Sequence, residues 1–184
     1  MLHKMIEASL ALVRAEGASL GDVARARVDM PHGATRPLIH PYPENGMNAL
    51  FSGPYAVAAS LADGRIDLAS FTDKAVRRPE IQTRLRDIEL VEATTPPPAG
   101  ELGNAPVTVT LQMRDGRTLS RTITAAPGSP QDPLTPLQLE AKWLDCLGRG
   151  APHLGPDEAR ARFTEGLKLA SMASVSPWLA GFAQ

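Results

Sequence analysis

Residues 48–64, NALFSGPYAVAASLADG, constrain this chain more than any other stretch. They form its longest apolar run, and from Tyr55 to Leu61 nearly every side chain is small and apolar. A helix that is apolar on all faces has to be buried on all sides. Gly53-Pro54 suits its start, because proline already holds a helical φ and the first turn needs no N–H from it. Asp63-Gly64 suits its end, since glycine is free to take the left-handed conformation after the last turn. Alanine on most faces lets neighbouring backbones come close. The run is expected to be the central packing helix, with Tyr55 at its open end.

The rest of the chain is read around that helix. Residues 2–16 predict an amphipathic helix, with Leu2, Met5, Ile6, Leu12 and Val13 at helical spacing and Glu7, Arg14 and Glu16 on the wet side. Gly17 ends it. A chain opening directly on a helix, with no lead-in strand or N-cap, leads to the expectation that something upstream is missing. Residues 22–30 alternate, and Ala24, Ala26, Val28 and Met30 are expected to form the buried face of a strand. Residues 31–46 are a proline-rich loop holding His32, His40 and Tyr42. A loop of that length is usually functional or lies across a partner surface.

After the central helix, Thr72 reads as an N-cap. A short helix opens at Pro79, with Ile81 and Leu85 four apart on one face. Residues 88–91 form a strand, and residues 94–106 a proline- and glycine-rich loop. Residues 107–124 carry the clearest hairpin signal. A three-residue Arg114-Asp115-Gly116 loop sets Leu111 opposite Leu119 and Val107 opposite Ile123, with glycine in the left-handed third position. A two-residue loop would mix the faces.

Residues 136–147 and 157–172 predict helices, and residues 176–182 a short last turn. Strands in the middle and helices at both ends give an α+β fold: a two-layer sandwich of a small, mostly antiparallel sheet with packed helices, plus a helical C-terminal arm. The division expected is residues 1–134 and 135–184.

Bulk properties bound the function. The chain has 184 residues, 43% of them hydrophobic and 21% charged, as in ordinary soluble domains. A formal net charge of −1 indicates no general attraction to nucleic acid or an anionic membrane. The single Cys146 excludes an internal disulfide and a four-cysteine zinc site, and fits a reducing, cytoplasmic setting. No apolar run reaches the ~20 residues of a membrane helix, and no export signal opens the chain.

The order of motifs resembles a known family. FSGPYAVAASLADG, FTDKAVRRPEIQ, the strand IELVE, VTVTLQMRDGRTL and GSPQDPLTPLQLEAKW follow one another as in the C-terminal domain of the MmgE/PrpD family. No single motif is specific; the five in sequence are. The resemblance implies a smaller α+β lid domain beside a large helical domain, with helices returning to the latter. It implies lyase or isomerase chemistry of the 2-methylcitrate dehydratase kind: dehydration or proton transfer next to a carboxylate in di- or tricarboxylates, without a cofactor. By the same resemblance MLHKMIEASLALVRAEG places His3 where the family carries an active-site histidine, and Tyr55 where some members carry an active-site tyrosine. Leu50 stands where many members have a basic residue. The family's lysine loop would precede Met1.

The function expected is therefore a polycarboxylate lyase or isomerase domain that is incomplete without the helical domain. The partner is a homodimer mate or a separate helical-domain chain. The alternative is a catalytically silent folded module for binding or assembly. The faces of the first helix and of residues 157–182 that would meet a helical domain should then be apolar and exposed, or buried in a homodimer. Other candidates have plainer readings. Glu7, one turn after His3, is placed to pair with it. His32 and His40, eight apart, match no compact zinc pattern, so no metal is expected. Cys146, beside Trp143 and Leu147, reads as a small buried apolar residue. Arg77, Arg78, Arg84 and Arg86 read as solvated faces, and Gly128-Ser129-Pro130 lacks the order of a phosphate loop.

Overall fold

The computed structural model describes residues 2–99 and 102–182. It divides into two units, Met1–Pro133 and Leu134–Gln184. The first unit runs α1 (Leu2–Glu16), β1 (Val23–Met30), α2 (Gly46–Ala49), α3 (Gly53–Asp63), α4 (Asp73–Val76), α5 (Pro79–Gln82), β2 (Ile88–Glu92), β3 (Val107–Met113) and β4 (Thr118–Ile123). The second holds α6 (Pro136–Gly150), α7 (Pro156–Gly166) and α8 (Ser176–Ala180). The fold is α+β, with a mixed four-stranded sheet in the order β2-β1-β3-β4.

The apolar run forms α3, and every residue of it from Gly53 to Leu61 is buried. Ser52 caps its start by accepting from the Tyr55 N–H at 3.2 Å. Gly64 ends it in the left-handed conformation at φ 65°. Ser60, the one hydroxyl inside the run, donates back to the Ala56 carbonyl at 2.7 Å. α1 packs on α3, as do β2 and α5. A Cβ at Gly53 would lie 2.6 Å from Leu90 Cδ1, so any larger residue there would require the Leu90 side chain to shift. Residues 48–51 do not continue α3. Asn48 and Ala49 belong to α2, which Asn45 caps, and Leu50 and Phe51 stay partly exposed.

The sheet buries one face under α1 and α3. β1 pairs parallel with β2 and antiparallel with β3. The β3–β4 hairpin has the expected register, Leu111 opposite Leu119 and Val107 opposite Ile123, and Gly116 takes φ 90° in its turn. β1 departs from strict alternation. Ala26, Val28 and Met30 are buried as expected, but Val23 is buried and Ala24 only partly so. The pairing with β3 slips between Val23 and Arg25, and one extra residue reverses which side chains face the core.

α1 covers the core with Met5, Ala8 and Leu12. Leu2 and Ile6 pack partly buried against the same cluster. The first helix therefore spends its apolar face inside its own unit, against the expectation of an exposed one. Gly17 closes it at φ 66°.

The second unit centres on Trp143. Its ring lies 6.1 Å from Phe163, 6.0 Å from Trp178 and 5.9 Å from Phe182. Its indole N–H donates to the Ala159 carbonyl at 2.9 Å. The Thr135–Gln138 capping box starts α6. The helix expected over residues 157–172 ends at Gly166 and resumes as a single tight turn, Leu169–Ser171. Leu167, Leu169, Val175 and Leu179 are exposed. Cys146 is exposed rather than buried. It edges an apolar groove lined by Trp143, Phe163, Leu167 and Trp178, because the rings cluster on one another and leave that rim uncovered.

Gly46 offers a sharp test of this packing. A Cβ there would lie 1.9 Å from the Phe71 carbonyl oxygen, so the backbone itself must move. Gly46→Ala is expected to lower unfolding stability by about 1–3 kcal/mol. The check is a shift of the urea midpoint at unchanged slope.

Candidate functional site

His3 stands exposed on the first turn of α1. Glu7 does not pair with it, because Arg14, about two turns further along the same face, takes that carboxylate. Among the described residues His3 has no hydrogen-bond or ion-pair partner. The residue after it does the opposite. Lys4 is 3% exposed, and its Nζ donates to the carbonyls of Gly103 and Ala105, each at 2.7 Å. Burial lowers the pKa of that ammonium. Lys4 was legible: it lies four residues before Ala8 and eight before Leu12, on the face that α1 buries.

Tyr55 is fully buried, not at an open end. Its hydroxyl donates to the Ser70 carbonyl, and its ring tilts against Phe71 at 6.1 Å. Burial raises the phenol pKa, with Arg78 acting against that rise. The reason is the cap: Ser52 starts α3 three residues earlier, so Tyr55 falls within the first turn beneath the 68–71 segment, a turn of 3₁₀ helix. Ser70 in turn lines a cavity of about 640 Å³ with Asp63, Arg65, Thr72, Lys74 and Arg78. His3 is not among its walls. Among the described residues no hydrogen bond or ion pair joins His3 to Tyr55.

Two of the four arginines read as solvated are structural. Arg78 holds Asp63 with two bonds of 2.8 and 2.6 Å, tying α4's end to the end of α3. Arg84 pairs with Asp87 at 2.8 Å and donates to the Val23 carbonyl. That carbonyl lies where the β1–β3 register slips, so the guanidinium satisfies a backbone group beside the irregularity.

The histidine loop is pinned from one point. Glu92, the last residue of β2, accepts from the Gly33 N–H at 2.9 Å, the Thr35 N–H at 2.6 Å and the Thr35 hydroxyl at 2.5 Å. His32 Nδ1 lies 3.9 Å from the same carboxylate. These bonds, led by the Thr35 hydroxyl, hold the Glu92 carboxyl down at about 2. Further along, the His40 N–H donates to the Phe51 carbonyl at 3.3 Å. Ile39, Tyr42, Met47, Leu50 and Phe51 are each exposed along residues 39–51. Glu92 gave no signal in the sequence, since its partners lie 57 and 59 residues away. Among the described residues no three His, Cys, Asp or Glu side chains are grouped to hold a metal ion, and no helix is long and apolar enough to cross a membrane.

An α+β unit built on a wholly buried helix, with a histidine displayed at the head of α1, is the frame in which the family match reads. Residues 1–168 match the MmgE/PrpD C-terminal domain, and the chain belongs to that family. It is 29% identical over 103 residues to cis-aconitate decarboxylase of Mus musculus, a match covering 56% of this chain and 21% of that enzyme. The chain thus spans about a fifth of that relative's length.

Two outcomes are expected from these contacts. Tyr55→Phe leaves the buried Ser70 carbonyl unpaired and should lower stability by about 1–3 kcal/mol in chemical denaturation. For Glu92, the folded value of about 2 lies below the ordinary 4.5. Its contribution is therefore complete above pH 4.5 and is lost as pH falls toward 2. Urea midpoints followed from pH 6 downward should converge between wild type and Glu92→Gln. A constant gap would contradict the assignment.

Proposed function

We propose that this chain supplies one wall of a cofactor-free lyase or isomerase site for di- or tricarboxylates. Residues 1–134 act as the lid-type domain and residues 135–184 as a helical arm. A helical-domain polypeptide, or a second copy of the chain, supplies the remaining walls. The single observation that carries this reading is the presentation of His3: an exposed imidazole, without a partner among the described residues, on a turn whose next residues, Lys4 and Met5, are buried.

The chemistry follows from the residue type. Imidazole titrates close to neutrality and can take a proton from carbon and return it. In a dehydration it would remove the proton from the carbon beside a carboxylate, while the β-hydroxyl leaves as water after receiving a proton. Charge accumulating on the carboxylate needs cations in a site shielded from water. His3 is open to solvent, where such stabilisation is weak, so the reading calls for walls supplied from outside residues 1–184. Tyr55 enters as a positioning residue through Ser70, because its hydroxyl is enclosed. Leu50, in place of a basic residue, bears on substrate preference. The substrates to assay first are 2-methylcitrate for dehydration and cis-aconitate for decarboxylation, the latter because of the mouse relative.

A second reading is a catalytically silent assembly module. Five exposed large apolar side chains between Ile39 and Phe51 favour it, since apolar surface gathered in one region marks docking sites. Co-expression with a family helical domain separates the two. Turnover that falls about 10²–10⁴-fold in His3→Gln, with complex formation intact, is the result expected of a catalytic wall. A stable complex without turnover of either acid would leave the assembly module.

A further inference from the structure

Lys4 breaks three local rules at once. It places a cation in the first turn of α1, where the helix dipole disfavours one, and that turn contains no acidic residue to offset it. It is 3% exposed, and a buried ammonium is expensive unless fully partnered. Among the described residues it has no carboxylate partner, only two backbone carbonyls. Those carbonyls lie 99 and 101 residues away, on the connection between β2 and β3. A methionine or leucine would bury the same stem without these penalties. Sites that break local rules tend to be functional.

We infer that Lys4 is a positioning residue: it latches the β2–β3 connection over the head of α1 and so fixes the backbone that presents His3. The inference rests on the proposed role of His3. Two charge-assisted bonds from one buried donor hold the Gly103–Ala105 segment at a defined height. Without them, two carbonyls and the first turn of α1, which holds no acidic residue, lose their shared anchor. The same connection walls a small cavity with His32 and Arg36 through Pro97, Pro98 and Leu102. Lys4 does not touch substrate in this scheme, because its amine faces the two carbonyls.

The wild-type chain gives the first readout. Under brief treatment with an amine-acetylating reagent, Lys4 should react about a hundred-fold more slowly than the exposed Lys74, Lys142 and Lys168. Equal reactivity would overturn the latch, whether or not any variant folds. Hydrogen exchange then compares Lys4→Met and Lys4→Arg. In Lys4→Met, the first intrahelically bonded amides of α1, residues 6–8, should exchange about ten-fold faster or more, with β1 and β3 unchanged. Lys4→Arg, which keeps donors, should restore much of that protection. In an active complex, Lys4→Met should lower kcat about ten- to a hundred-fold with KM little changed. Unchanged exchange at the head of α1, or unchanged kcat in an active complex, would overturn the positioning role. Unchanged turnover in His3→Gln would instead sink the reading of His3 and leave the exchange results for Lys4 standing.

Discussion

The structure of the first unit depends on a helix that no face of which can meet water. α3 is buried from Gly53 to Leu61, so everything around it has to supply either apolar surface or a hydrogen bond. α1 and β2 provide the surface. The Ser52 hydroxyl and the Ala56 and Ser70 carbonyls accept from the groups that cannot go without a partner: the Tyr55 N–H, the Ser60 hydroxyl and the Tyr55 hydroxyl. Small side chains make this possible. With glycine at position 53, α3 approaches β2 until Leu90 fills the space a side chain would take. A helix of larger residues would hold the sheet further away and open voids that packed interiors do not contain.

That same closeness explains what could and could not be read from the residues. The ends of α3 were legible because Pro54 and Gly64 act locally. The hairpin register was legible because only one loop length keeps Leu111 and Leu119 on one face. The burial of Tyr55 was not, since it depends on where the 68–71 segment folds back. The slip in β1 was not, because alternating alanine and arginine leave the buried face weakly marked. Cys146 was misplaced for a related reason: its neighbours Trp143 and Leu147 are apolar, but the rings of the second unit pack on one another and leave its rim open.

The candidate site was legible in kind rather than in arrangement. His3 and the family's order of motifs could be recognised from the chain alone, and the match over residues 1–168 places it in the MmgE/PrpD family. What the residues could not convey is that His3 and Tyr55 differ entirely in access, one in solvent and one enclosed. Nor could they convey which backbone groups Lys4 and Glu92 hold, since those partners lie 57 to 101 residues away. Lys4 and Glu92 each fasten a loop to the unit, while His3 stands exposed at the head of α1.

The account stands or falls on α3 as the last element to yield. Native-state hydrogen exchange in rising urea measures this directly. The amides of Val57 to Leu61 should exchange only through global unfolding, with the free energy and urea dependence of the whole first unit. Exchange of those amides through a smaller opening, at lower free energy than the amides of β3, would contradict the claim that the unit is built around this helix.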